Sequence, residues 1–148
     1  LMEVIKRVDV ITINDEEARQ LSGQSSLVAA ARNIHEMGPK YVVIKKGEHG
    51  ALLFSGDNVF FAPALPLEEV FDPTGAGDTF AGGFAGFLSK TNNFSFENMK
   101  KAVVYGSALA SFTVEKFGTE RISNLSSKEV FERLQMFKNL TQFDIELT

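Results

Sequence analysis

The residues best suited to chemistry lie in the segment Asp72-Pro73-Thr74-Gly75-Ala76-Gly77-Asp78-Thr79-Phe80. A glycine-rich turn that opens a helix presents backbone N–H groups without intrahelical partners, together with the positive end of the helix dipole. Such a turn binds anions, and the lack of side chains at Gly75 and Gly77 lets a phosphate group approach the backbone closely. The sequence therefore predicts an anion site at the start of a helix.

Asp78 is the unexpected member of this segment, because a carboxylate directed at a bound phosphate would repel it. Its presence is chemically sensible if it accepts a proton from a hydroxyl nucleophile that attacks the phosphate. The alternative is that Asp78 is only an acidic residue of the first helical turn, and that the glycines only permit close helix packing. Residue types alone leave both interpretations open.

Two common phosphate-binding motifs are absent from the sequence. There is no Gly-x4-Gly-Lys-[Ser/Thr] segment of a P-loop, and Gly75-x-Gly77 is followed by Phe80 where a dinucleotide-binding turn has its third glycine. The anion site must therefore belong to another class.

Buried β-branched segments that alternate with helices must position this turn. Apolar periodicity predicts strands at 8–13, 41–44, 51–54 and 59–62. Capping and stop signals add helices at 15–21, from a cap at Ser25 or Ser26 to 37, from the glycine-rich turn to about 90, at 96–117 with Gly118 as the stop, and at 126–138 opened by the capping-box pattern of Ser126 and Glu129. Short turns at 47–50 and 56–58 add antiparallel strands, so the sheet is expected to be mixed. The pattern predicts one α/β domain over residues 1–148.

The composition restricts the classes of function. The chain has 148 residues, of which 44% are hydrophobic and 23% charged, and a net charge of −4, as is typical of a globular domain. Because it has neither a basic run nor an apolar stretch long enough to cross a bilayer, we expect no nucleic-acid or membrane partner. The absence of cysteine excludes disulfides and thiolate chemistry and suits a reducing compartment, so we expect a cytoplasmic protein.

The segment 72–80 resembles the C-terminal signature of the ribokinase-like (PfkB) carbohydrate kinases, Asp-Thr-x-Gly-Ala-Gly-Asp-x-Phe, with Pro73 where Thr is common. The resemblance implies a ribokinase-like three-layer α/β/α fold with a mostly parallel, partly mixed sheet. It extends over nearly the whole chain but covers only the C-terminal half of such a kinase. We therefore expect a fragment without the N-terminal substrate and lid half that is inactive alone. Its exposed apolar sheet edge should make it aggregate or pair with a second copy as a homodimer.

The resemblance also implies the activity and the central roles. Asp78 would be the catalytic base, and the amides of Gly75, Ala76 and Gly77 would form the anion hole for the transferring phosphoryl group. The implied reaction is ATP-dependent phosphorylation of a hydroxymethyl group of a small sugar. A nucleoside kinase of the same fold and a non-catalytic nucleotide-binding module are the alternatives.

Two further segments match the family in order and spacing. Asn14 and Glu17 match its Asn-x-x-Glu motif, which implies that they help to place Mg²⁺ and phosphate, largely through water. The same pair also fits a helix capping box. The resemblance places the segment with Lys45, Gly47 and Gly50 at the ATP site, where Lys45 either meets ATP phosphates or is a solvated charge at the end of a strand.

The remaining implied contacts concern the adenine and a monovalent cation. Ser107 aligns approximately with a residue near the adenine of the nucleotide. Family members often bind a monovalent cation such as K⁺ through the Asp and Thr of the signature, here Asp72 and Thr74, together with carbonyl groups near Gly118.

Overall fold

The computed structural model describes residues 1–67, 74–115 and 122–147, so Asp72 and Gly118 lie outside the described residues. The chain divides into two compact units, Leu1–Ala62 and Pro63–Thr148. The first unit contains α1 (Met2–Ile5), β1 (Val10–Asn14), α2 (Asp15–Ser22), α3 (Leu27–Glu36), β2 (Tyr41–Lys45), a 3₁₀ turn (Gly47–His49), β3 (Ala51–Ser55) and β4 (Asn58–Ala62). The described part of the second unit includes α4 (Ala76–Thr91), α5 (Phe96–Thr113) and α6 (Ser127–Thr141).

The sheet of the first unit has the strand order β1-β2-β3-β4. β1 and β2 are parallel, with Val10 opposite Tyr41 and Asn14 opposite Lys45, because the two helices between them carry the chain back to the same edge. β2–β3 and β3–β4 are antiparallel, as their short connections require. The mixed sheet predicted from the two turns is thus confirmed.

The core of the first unit lies between helices α2 and α3 and one face of this sheet. Buried residues of this core are Ala18, Ala30, Ala31, Ile34, Val42, Ile44 and Phe54. The strand members of the set alternate along their strands, because successive side chains of a strand point to opposite faces. The small alanines let both helices pack closely on the sheet, which fixes the position of the carboxyl ends of β1 and β2.

The helix ends in the first unit follow local signals in the sequence. Ser26, one of the two predicted caps, accepts a hydrogen bond from the amide of Ala29 at 3.3 Å. Gly23 ends α2 in the left-handed conformation, with φ of 71°. Gly38 has φ of 142°, and a Cβ atom there would lie 2.9 Å from the carbonyl oxygen of Ile5, so the chain beyond α3 passes α1 at a distance that only glycine permits.

Helices α4 and α5 of the second unit pack together through glycine. A Cβ atom on Gly83 would lie 2.9 Å from Leu109 Cδ1 and 3.2 Å from the Cα of Gly106. One on Gly106 would lie 2.8 Å from the carbonyl oxygen of Phe80. The two helix backbones therefore approach each other directly, and the start of α4 is held by the middle of α5.

The C-terminal part of helix α5 has no exposed residue, and the helix ends earlier than predicted. None of residues 102–114 is exposed, which agrees with the apolar character of this run. The helix stops at Thr113, with Val114 as its C-cap, rather than at 117, which lies outside the described residues. Thr113 and Val114 are β-branched and disfavour helix, whereas the prediction relied on Gly118 as the stop signal.

Two other elements differ from their predicted bounds by two or more residues at one end. β1 begins at Val10 and extends to Asn14, whereas the prediction placed it at 8–13. The final helix α6 begins after the predicted cap Ser126, whose hydroxyl accepts from the Glu129 amide at 3.2 Å, and it ends at Thr141 rather than near 138. Among the helices of the described residues, none combines the length and apolar character needed to cross a bilayer.

Candidate functional site

The glycine-rich segment forms the start of α4, as predicted. Gly75 is the N-cap residue in the left-handed conformation, with φ of 84°, and as a glycine it has no side chain of its own to cap the helix. The amide of Thr79 makes the hydrogen bond to the Gly75 carbonyl, at 2.9 Å, that begins the helical ladder. The amides of Ala76, Gly77 and Asp78 precede it and have no acceptor within the helix. Ala76 and Gly77, two of the three predicted anion-hole residues, are therefore among the donors that the helix leaves open to an anion.

Asp78 occupies the third position of α4 and is exposed, as is Gly77. A carboxylate in the first helical turn is stabilised as an anion by the helix dipole. The turn therefore combines amide donors with a carboxylate that solvent reaches directly. This arrangement is chemically suited to a hydroxyl attack on a bound phosphate.

Sequence reasoning missed two threonines behind this turn. The Thr79 hydroxyl donates to the Gly75 carbonyl at 3.0 Å, and the Thr113 hydroxyl of α5 donates to the Thr79 hydroxyl at 2.9 Å. The sequence contains no signal for this contact, because residues 79 and 113 are 34 positions apart. The start of α4 is thus tied to the end of α5 through side chains.

In the first unit, Asn14 and Glu17 form the capping box that their spacing allows. The Glu17 amide donates to Asn14 Oδ1 at 2.7 Å, and the Asn14 amide donates to Glu17 Oε2 at 3.0 Å. Both side chains remain exposed, and the second carboxylate oxygen of Glu17 is outside the box. This carboxylate oxygen of Glu17 and the side-chain amide of Asn14 are suited to a water-mediated contact with Mg²⁺, because Mg²⁺ retains much of its own hydration shell.

Lys45 lies beside Asn14 at the carboxyl ends of the two parallel strands. The two residues are directly opposite in the register of β1 and β2, and Lys45 is partly buried. Gly47 and Gly50, with φ of 57° and 88°, begin and follow the 3₁₀ turn after β2. The structure thus brings together the predicted nucleotide-site residues of the first unit at one edge of its sheet.

The other predicted site residues of the second unit do not form one cluster among the described residues. Thr74 is exposed and immediately precedes Gly75, whereas Asp72 lies outside the described residues. Ser107 is partly buried in the middle of α5, roughly 9 Å along the helix axis from Thr113. Among the residues that the structure describes, no three histidine, aspartate or glutamate side chains form a group that could hold a metal ion.

These features agree with the family to which the sequence belongs. Residues 1–125 match the pfkB family of carbohydrate kinases, so the chain is a member of that family and the resemblance of its signature is confirmed. The matched range contains the capping box of α2, the turn after β2 and the glycine-rich start of α4.

Individual relatives are sugar and nucleoside kinases. The chain is 47% identical over 92 residues to the cytidine kinase of Thermococcus kodakarensis, an alignment that covers 61% of this chain and 33% of that enzyme. It thus spans about a third of the length of this curated relative.

Solved structures share the architecture. Aminoimidazole riboside kinase from Salmonella enterica, in complex with aminoimidazole riboside and an ATP analogue, has a TM-score of 0.76 and 27% identity, covering 90% of this chain and 44% of that one. Ribokinase from Thermotoga maritima has a TM-score of 0.75 and 31% identity, covering 91% and 45%. The ribokinase-like α/β fold expected from the resemblance is therefore confirmed.

Proposed function

We propose that the chain carries the catalytic base and the nucleotide-binding part of a kinase that phosphorylates a hydroxymethyl group. In this reaction Asp78 takes the proton of the acceptor hydroxyl, whose oxygen attacks the γ-phosphorus of ATP. The bond from that phosphorus to the bridging oxygen breaks, and ADP leaves with the electron pair. The amides of Gly75, Ala76 and Gly77 stabilise the charge on the transferring group.

The observation that carries this proposal is the start of α4, where an exposed carboxylate shares a helical turn with amides that have no acceptor within the helix. Gly75 has no side chain to cap these amides, which leaves them suited to a bound anion. Asp78 then has a role beside that anion as a base.

We assign contacts with Mg²⁺ and ATP phosphates to residues of the first unit. Asn14 and Glu17 would hold Mg²⁺ through water while they cap α2, and the bound ion would neutralise charge on the ATP phosphates. Lys45 would add a positive charge beside them, and Gly47 and Gly50 would let the nucleotide approach the backbone.

In the second unit we propose contacts with the adenine and with a monovalent cation. Ser107 would lie near the adenine, and Asp72 and Thr74 would contribute to a site for a monovalent cation such as K⁺. The solved relative that holds an ATP analogue supports ATP as the phosphoryl donor. Because ATP is cytoplasmic and the chain has no cysteine, we place the reaction in the cytoplasm.

The acceptor is proposed to be a small sugar, with a nucleoside as the second candidate. The family is one of carbohydrate kinases, which favours the sugar. The 47% identity to a cytidine kinase favours a nucleoside, whose ribose also offers a hydroxymethyl group. Both candidates use the same base and the same anion hole.

We further propose that residues 1–148 correspond to the C-terminal part of the kinase domain. The chain aligns with 44% and 45% of the two solved kinases, so an acceptor-binding half and a lid would be contributed from outside these residues. The isolated chain would then turn over slowly, because closure is needed to exclude water from ATP.

The test is ADP formation by the complete polypeptide that carries this chain, with MgATP and a panel of pentoses, hexoses and nucleosides. Asp78→Asn should lower kcat by about 10²–10⁴-fold and leave ATP binding intact. Glu97→Gln is the matched control, since Glu97 is an exposed carboxylate in the first turn of α5 and should leave turnover unchanged. Equal turnover of Asp78→Asn and wild type would refute the assignment of the base. Nucleotide binding without turnover on any acceptor would favour the binding module.

A further inference from the structure

A chain of hydroxyl groups connects α5 to the carbonyl group at the start of α4. The Thr113 hydroxyl donates to the Thr79 hydroxyl at 2.9 Å, and the Thr79 hydroxyl donates to the Gly75 carbonyl at 3.0 Å. The Thr79 amide donates to the same carbonyl at 2.9 Å. The Gly75 carbonyl oxygen therefore accepts two hydrogen bonds, both from Thr79. The hydroxyl of Thr79 in turn accepts a hydrogen bond from Thr113 of α5.

Thr113 is placed so that this connection is well defined. Its side chain is 1% exposed, and a buried hydroxyl must find a partner within the protein. Its methyl carbon Cγ2 would lie 4.0 Å from a Cβ atom on Gly75. The hydroxyl of Thr113 thus binds Thr79, and its methyl group faces Gly75.

The orientation of the Gly75 carbonyl determines the orientation of the Ala76 amide, one of the three amides proposed for the anion hole. The carbonyl of Gly75 and the N–H of Ala76 belong to one planar trans peptide group, in which they point in opposite directions. Gly75 has φ of 84°, and as a glycine it has many other backbone conformations available to it. Because the hydroxyl chain fixes the carbonyl, it also fixes the direction of the Ala76 N–H.

We propose that Thr113 is a positioning residue for phosphoryl transfer, which acts through Thr79 on the Gly75–Ala76 peptide. Its hydroxyl aims the Ala76 N–H at the place where charge develops on the transferring group. The proposal rests on the proposed function, because the anion hole is the part that Thr113 orients. A donor that is fixed before the reaction stabilises the transition state without reorganisation at the moment of transfer.

Steady-state kinetics of the complete polypeptide test this role. Thr113→Val keeps the shape of the side chain and removes the hydroxyl, whereas Thr113→Ser keeps the hydroxyl. Loss of a donor of this type costs about 10²–10³-fold in kcat; a donor that is misdirected but present should cost less, about tenfold. We expect Thr113→Val to lower kcat about tenfold with the acceptor KM unchanged, and Thr113→Ser to stay within about twofold of wild type.

A second substitution and a control separate this role from general packing. Thr79→Val should lower kcat as Thr113→Val does, and the double variant should be no worse than either, because all three break one chain of hydrogen bonds. Thr91 is the control: its hydroxyl donates to the Phe87 carbonyl at the other end of α4 and accepts from Asn98 of α5 at 2.8 Å. Thr91→Val should leave kcat unchanged. Equal losses in Thr113→Ser and Thr113→Val, or unchanged kcat in Thr113→Val, would overturn the proposal.

The amide resonance of Ala76 provides a readout that does not depend on turnover. In ¹⁵N-labelled protein, Thr113→Val should move the Ala76 cross-peak and Thr113→Ser should leave it in place. If wild type lacks kinase activity, the proposed function fails, and the hydroxyl chain is then judged from this resonance alone. An Ala76 cross-peak that Thr113→Val does not move would overturn the positioning role even in an active enzyme.

Discussion

Substitution of Gly106 by alanine tests the close packing of the two central helices of the second unit. A Cβ atom at this position would lie 2.8 Å from the carbonyl oxygen of Phe80, and 3.0 and 3.2 Å from two carbons of its ring. The ring is buried and stacks on the ring of Phe84, and the carbonyl oxygen is part of the α4 backbone. Helix α4 must therefore shift away from α5 to accommodate even one methyl group.

The expected magnitude follows from two opposing effects of Gly106→Ala. Alanine favours a helix interior over glycine by about 1 kcal/mol. Overpacking typically costs about 1–3 kcal/mol, and a contact with backbone places this site at the upper end of that range. We expect a net loss of about 2 kcal/mol in the free energy of unfolding, which for a chain of this size corresponds to a decrease in Tm of about 4–8 °C.

Urea and thermal unfolding, followed by circular dichroism, measure this loss against a matched control. Gly86 is also in a helix interior, but it is exposed and a Cβ atom there would meet nothing within 4 Å. Gly86→Ala should therefore be as stable as wild type or up to about 1 kcal/mol more stable. Because Phe80 follows Asp78 by two residues, Gly106→Ala should also lower kcat at temperatures where the protein is folded. A Gly106→Ala protein as stable as wild type would refute the packing argument.

Two other substitutions address the capping box and the anchoring of α6. Glu17→Gln keeps a residue that completes the box with Asn14, so the free energy of unfolding should change by less than about 0.5 kcal/mol while the Mg²⁺ concentration for half-maximal rate rises several-fold. An unchanged Mg²⁺ dependence would restrict Glu17 to its capping role. Arg133→Met removes hydrogen bonds from the guanidinium to Ser111 Oγ and Glu115 Oε1, which should cost about 2 kcal/mol in urea unfolding. A loss below about 0.5 kcal/mol would show that this half-buried network contributes as little as a surface ion pair.

The sequence predicted those features that depend on neighbouring residues. The Asn14–Glu17 box and the cap at Ser126 each involve residues three apart, so the pattern of residue types was sufficient to place them. The glycine-rich start of α4 was predicted for the same reason. The antiparallel strands followed from connections too short for any other topology. The end of α5 was predicted too late, because weak helix formers at 113–114 stopped it before a glycine did.

The tertiary structure decided which distant residues meet. The contacts of Thr113 with Thr79 and of Arg133 with Ser111 join residues 34 and 22 positions apart, and Gly106 meets Phe80 across a helix interface. The residue types at these positions are compatible with many partners, because a threonine or a glycine in the sequence does not specify which residue it contacts. Residue types along the chain thus determined where an anion and a base could lie. The packing of α4 against α5, which depends on the shapes of many side chains together, decided how the anion hole is held.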